Sequence, residues 1–207
     1  MLTYDVKYQE KYSRGELLLR TFFGWLYIGI PHGLALLFLG LILNFMALFA
    51  FFIILFTGKT PEWYYNWAVK IQRWTLRVNA RTSNLADGYP AFGMDASDDK
   101  TTFELPFWQI SRGQLLLRAF LGLFYVGIPH LFVLYFRMIG TAFLMFAAFF
   151  VVLFTGKYPE NWHRFNTGTL RWAVRINLYL SWLYRDYPPF AGRPDVNLLK
   201  ELDHLEK

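Results

Sequence analysis

Cysteine is missing from all 207 residues, which excludes disulfides and thiolate metal sites. Charge is scarce too: Asp, Glu, Lys and Arg make up 17% of the chain, against 55% hydrophobic and 21% aromatic residues. Soluble domains carry about 25% charged residues, so a water-facing globule is a poor fit. The scarcity is uneven. Between Thr21 and Phe56 the strongly polar side chains are His32 and Asn44; between Ala119 and Phe154 they are His130 and Arg137. No carboxylate lies in either run, so a histidine there lacks the acid partner of a proton relay. Hydrolase signatures are missing as well. There is no nucleophile elbow and no HExxH, and His32, His130, His163 and His204 show no metal-ligand spacing. TGKT at Thr57 to Thr60 resembles the end of a P-loop, but Ile53 stands where the loop's first glycine belongs, which rules against nucleotide binding. The polar start, MLTYDVKYQEKYSRGE, lacks the pattern of a cleaved signal, so the first apolar run is expected to target and anchor the chain.

What is present is one unit written twice. SRGELLLRTFFGWLYIGIPH (Ser13 to His32) returns as SRGQLLLRAFLGLFYVGIPH (Ser111 to His130), 98 residues downstream. The offset holds through LFTGK at Leu55 and Leu153, RWTLRVN at Arg73 and RWAVRIN at Arg171, and YPAF at Tyr89 and YPPF at Tyr187. Such repeats signal two copies of one structural unit related by a pseudo-symmetry axis.

Each apolar run of about 36 residues would measure roughly 54 Å as helix. A bilayer core is roughly 30 Å thick, so the run is too long for one crossing and just long enough for two. The expected fold is an all-α membrane protein of two tandem repeats. Each repeat is a transmembrane helical hairpin followed by an amphipathic interfacial helix, giving about four transmembrane segments. The turns are expected near residues 39–44 and 136–141, where Gly40 and Gly140 suit a turn and Arg137 could reach the headgroups. A hairpin buried from one side only is the alternative. Lys and Arg cluster at the hairpin ends, which by the positive-inside rule places both termini of a multi-pass protein in the cytoplasm. Residues 1–92 hold the first repeat, 93–110 a polar linker with a short extended segment, 111–190 the second repeat and 191–207 a cytoplasmic tail. Val196, Leu199, Leu202 and Leu205 give that tail helical spacing.

After each run, Thr60 is expected to cap a helix with Pro61 in its first turn. Trp63, Trp67, Ile71, Trp74 and Val78 make an apolar stripe beside Lys70, Arg73, Arg77 and Arg81, the pattern of a helix lying at a membrane interface. Tyr4, Val6 and Tyr8, and likewise Phe103, Leu105 and Phe107, alternate weakly as strands that could pair.

The string LFTGKYPE, followed by LRWAVRINLYLSWLYRDYPPF and preceded by an IPH helix, resembles a bacterial membrane domain family of unknown function, DUF4389. The second repeat matches well, and the first more loosely: Trp67 and Lys70 stand for Phe165 and Gly168. The resemblance implies a bacterial inner-membrane protein with paired transmembrane segments per domain, and it supplies no catalytic residues.

Two sets of candidate site residues emerge. Pro31 and His32, like Pro129 and His130, put a helix breaker and an imidazole at membrane depth. They mark an intramembrane kink and contact, either functional as a proton or ligand site or structural as a hydrogen bond to a neighbouring helix. The shortage of carboxylates and the symmetric placement favour the structural role. Arg73, Arg77, Arg171 and Arg175, with Trp74 and Trp172, are candidates for contacting lipid or a partner. No catalytic or metal site and no cofactor is expected. The net charge of +6 flanks the apolar runs, so anionic headgroups are the expected partner rather than nucleic acid, together with another membrane protein or a second copy. The chain is expected to be a non-enzymatic accessory or scaffolding subunit of a membrane assembly. The alternative is a lipid- or small-ion-binding transporter built on the IPH helices and interfacial arginines.

Overall fold

A computed structural model describes residues 2–194; the expected tail helix lies outside the described residues. The protein is mostly helical, with one large difference from expectation. Neither hairpin turn forms. Arg14–Thr57 and Arg112–Thr155 are each a continuous helix of 44 residues. Gly40 and Asn44 sit inside the first, and Asn44 Nδ2 donates to the Gly40 carbonyl one turn back, at 2.9 Å. Gly140 and Arg137 sit inside the second. A helix satisfies its own backbone wherever it runs, so a long apolar stretch continues as helix unless a residue forces a break, and glycine alone costs only about 1 kcal/mol. Four crossings therefore give way to two helices long and apolar enough to cross a membrane.

Serines cap both starts: Ser13 and Ser111 accept from the Glu16 and Gln114 amides. Both helices end on a left-handed glycine, Gly58 at φ 74° and Gly156 at φ 71°, a conformation that costs glycine little. A return helix follows each, Glu62–Thr82 and Glu160–Leu180. Thr60 does not cap the first. Its hydroxyl accepts from the Ile110 amide at 3.2 Å and its amide donates to Gln109, tying the repeat junctions together.

The two extended segments do pair. β1 (Thr3–Val6) and β2 (Thr101–Glu104) form an antiparallel ribbon with Thr3 opposite Glu104 and Val6 opposite Thr101. The strands are themselves equivalent positions of the two repeats, so the ribbon marks a pseudo-two-fold axis. The ribbon rests on the return helices: Arg73 Nε donates to the Phe103 carbonyl and Arg171 Nε to that of Tyr4.

The same symmetry sets the long helices head to tail. Arg14 Nη2 donates to the Phe154 carbonyl at 3.0 Å, and Arg112 to those of Leu55 and Phe56. Along the first long helix an inward stripe is buried at Leu17, Gly24, Ile28 and His32, half-buried at Leu43, Met46 and Ala47, and buried again at Ala50 and Ile54. Outward, Phe22, Phe38, Phe45 and Phe56 stand 60–74% exposed. One core, holding Leu17, Tyr64 and Leu76 together with Leu134, Tyr158 and Leu178, is shared by both repeats.

Candidate functional site

Three of the repeated motifs, IPH, RWxxRxN and YPxF, converge, and they do so twice. Proline has no amide hydrogen, and in a regular helix Pro31 would leave the Tyr27 carbonyl without its donor. The chain responds by widening one turn to π geometry over Trp25–Gly29, and again over Leu123–Gly127 ahead of Pro129. The freed carbonyls are then met from outside. Tyr89 of YPAF donates its hydroxyl to the Tyr27 carbonyl at 3.3 Å, and Tyr187 of YPPF does the same for Tyr125 at 3.2 Å. The kink and the post-helix loop are thus one device.

His32 and His130 follow immediately, both wholly buried. Trp74 Nε1 donates to His32 Nδ1 at 2.7 Å, and Trp172 Nε1 to His130 Nδ1 at 3.0 Å. An imidazolium has no acceptor nitrogen, so these bonds hold both rings neutral with the proton on Nε2. Each Nε2 is buried and has no hydrogen-bond partner among the described residues. Rings surround it instead: Tyr89 and Phe92 lie 5.2 and 5.0 Å from His32, and Phe190 stacks on His130 at 3.8 Å. This arrangement locks a long helix to a return helix through one indole–imidazole bond in each repeat. It offers no nucleophile and no carboxylate. Among the described residues no cluster of His, Asp or Glu could hold a metal.

The candidate lipid- or partner-contacting residues divide. Arg73 is exposed. Trp74 and Trp172 are buried in the lock, and Arg77, Arg171 and Arg175 are buried beside it. Arg77 donates to the carbonyls of Ala91, Gly93 and Ala96, and burial draws its pKa below the usual arginine value, with the neighbouring cations Arg81 and Arg73 adding to the shift and Asp98 opposing it. Arg171 holds the Tyr4 and Gly192 carbonyls and Asp5. Arg175 holds the carbonyls of Ala191 and Arg193. These guanidiniums clamp the loops that carry YPAF and YPPF, so a stripe that reads as headgroup-facing turns inward. Arg137, expected at a turn, packs over the Phe165 ring at 4.0 Å and donates to Thr169. Gly168 makes room for it and for the close pass of Gly192; a Cβ on Gly192 would lie 2.3 Å from the Gly168 carbonyl oxygen. Gly168 and Thr169 therefore interrupt the amphipathic stripes for a steric reason.

Other buried ions gave no sequence signal of their own. Arg20 reaches Asp87 at 2.8 Å, Glu16 at 2.9 Å and Asn84 at 3.0 Å. Its counterpart Arg118 meets the carbonyls of Tyr184 and Arg185 and covers the Tyr179 ring at 3.7 Å. The repeat offset pairs Asp87 with Arg185, which explains why a carboxylate is replaced by main chain. Arg81 forms a two-pronged pair with Asp98 at the floor of a cleft of about 600 Å³ shared with Asp87 and Lys100.

His163, in the second return helix, donates Nε2–H to the Leu85 carbonyl at 3.1 Å. Burial lowers its pKa from the ordinary 6.5, while that carbonyl opposes the shift. A lowered folded value means that its stabilising contribution is full above the unfolded pKa of 6.5 and is lost as pH falls through the folded value. The melting temperature in detergent should therefore drop on acidification below about pH 6.5, and His163→Gln should flatten that slope. Identical slopes for the two proteins would show that His163 does not contribute.

The sequence model of one family, described as Domain of unknown function (DUF4389), matches residues 16–93 and again 114–192. No curated protein and no solved structure matches the chain.

Proposed function

The chain belongs to the DUF4389 family and carries its domain twice; from that premise we propose that it is a non-enzymatic scaffolding or accessory subunit embedded in the bacterial inner membrane. One observation carries the reading. Two 44-residue helices leave broad aromatic and aliphatic faces exposed along their whole length, whereas the buried guanidiniums beneath them are engaged by main chain and carboxylates. An apolar face of that extent must meet lipid or another apolar protein surface. The ribbon, the return helices and both termini belong on the cytoplasmic side, where the cations cluster. The rival reading, passage of a lipid or small ion along the IPH helices, draws less support, because each imidazole is closed in by an indole and two further rings.

Native mass spectrometry after gentle extraction from the source membrane tests the proposal. The expected result is a companion subunit at fixed stoichiometry or a defined homo-oligomer, with anionic lipid retained. A bare monomer across several mild detergents would overturn it.

A further inference from the structure

We infer that the two long helices do not cross the bilayer but lie in the plane of one leaflet, with the pseudo-two-fold axis along the membrane normal and their outward faces forming a lipid-embedded floor. The inference rests on the membrane reading above and names how the protein meets the lipid.

Length is the first argument. Forty-four residues of helix measure roughly 66 Å, more than twice the roughly 30 Å of a hydrocarbon core. Fitting that length by tilt alone would need an inclination near 60°, and observed tilts reach about 40°.

The inward stripe is the second. It runs from Leu17 to His32, continues as half-buried positions such as Leu43 and Ala47, and is buried again at Ala50 and Ile54. The return helix and the loop behind it lie along its first part, from the His32–Trp74 bond to the Arg20–Asp87 pair. One turn before Trp74 stands the exposed pair Lys70–Asp95, and on the second return helix the exposed pair Arg164–Glu160. Were the long helices to cross, these ions would be drawn beside them into hydrocarbon, where each charge costs several kcal/mol. In the planar arrangement they remain on the water side.

Symmetry supplies the third argument. The start of each long helix packs on the end of the other, so two crossing helices would insert with opposite sense. The repeats nevertheless carry the same flanking cations at the same positions, and the positive-inside rule gives both the same sense. An axis along the normal removes the conflict, since both copies then present the same face to the membrane. Charge agrees. The exposed cations Arg14, Lys59, Arg112 and Lys157 stand at the four helix ends, placed to reach phosphates around the rim of the floor. Between them, Arg20, Arg118 and Arg137 turn inward.

The absence of native cysteine makes site-directed labelling clean. The full chain is reconstituted in vesicles of phosphatidylethanolamine and phosphatidylglycerol, with a nitroxide at Phe22→Cys, Phe38→Cys or Phe52→Cys, and depth is read by power saturation. All three should report one shared depth of about 5–10 Å below the headgroups. A profile in which Phe38→Cys sits near the bilayer centre, roughly 15 Å deep, with the other two shallow, would overturn the planar arrangement. Spin labels fully open to the aqueous relaxer would overturn the membrane reading itself. As a check that tolerates local disturbance, Gly15→Cys and Lys59→Cys are treated with an impermeant maleimide. Gly15 has open space around its Cα. The two ends of this helix should label from the same face of the vesicle; labelling from opposite faces would establish a crossing.

Discussion

Asp98→Ala should destabilise the protein by about 3 kcal/mol, because it strands a buried guanidinium. Arg81 and Asp98 meet through two bonds of 2.5 and 2.9 Å, with side chains 4% and 5% exposed. Asp98 also accepts from the Thr101 hydroxyl at 2.7 Å and from the Lys100 amide at 3.1 Å, so it fixes the entry to β2 and hence the ribbon joining the repeats. In a protein of this size the loss corresponds to a melting temperature roughly 6–12 °C lower. Replacing both partners, Arg81→Met with Asp98→Leu, should recover much of it, since an apolar pair leaves no buried charge. Burial alone would raise the Asp98 pKa, but the hydrogen bonds from Arg81, Thr101 and the Lys100 amide hold it below its ordinary 3.8. The contribution of Asp98 is therefore present above about pH 4 and is lost as pH falls through its lowered value. The difference between wild type and Asp98→Ala should shrink in strong acid. Equal melting temperatures at neutral pH would refute the role given to the pair.

Trp172→Ala should cost as much or more, about 3–5 kcal/mol, with Trp74→Ala behaving alike. Each indole is nearly inaccessible, and each supplies the donor that keeps a buried imidazole neutral. Trp172→Phe separates the two effects. It keeps most of the packing and deletes the donor, so it should cost about 1–3 kcal/mol, the penalty for an unsatisfied buried acceptor. Thermal denaturation in one detergent at one pH measures both. If Trp172→Phe melts with the wild type, the bond to His130 adds nothing and the lock is packing alone. A matching response at Trp74 would show that the two copies of the lock carry equal weight.

Much of this architecture is legible in the residues, for local reasons. The 98-residue offset is covalent information and survives any fold. Gly58 and Gly156 end helices because a left-handed residue does so in any context. Pro31 and Pro129 withhold a donor wherever they stand, so a disturbed turn near Tyr27 and Tyr125 follows from chemistry alone. Alternation around Tyr4 and Phe103 was enough to suggest a ribbon. The candidate site was half legible: IPH and RW picked out its prolines, histidines and tryptophans, whereas YPxF stood only as a mark of the repeat, so Tyr89, Phe92, Tyr187 and Phe190 were missed.

Three decisions belonged to packing across the chain. Whether an apolar run of this length folds back or continues depends on what covers its inner face. Both choices satisfy every backbone bond, and here the return helix and the partner repeat favour continuation. The direction of the arginines was equally open, because a cationic stripe reads the same whether its donors meet lipid phosphate or the carbonyls of a loop. Arg77, Arg171 and Arg175 found carbonyls because loops rich in glycine and alanine pass close enough to be clamped. Gly168 interrupts its amphipathic helix for a reason that only the tertiary structure supplies, since Gly192 and Arg137 are packed against it. Composition and periodicity specify what a segment prefers. Burial and hydrogen-bond partners are shared between segments distant in sequence, and they come into being with the fold.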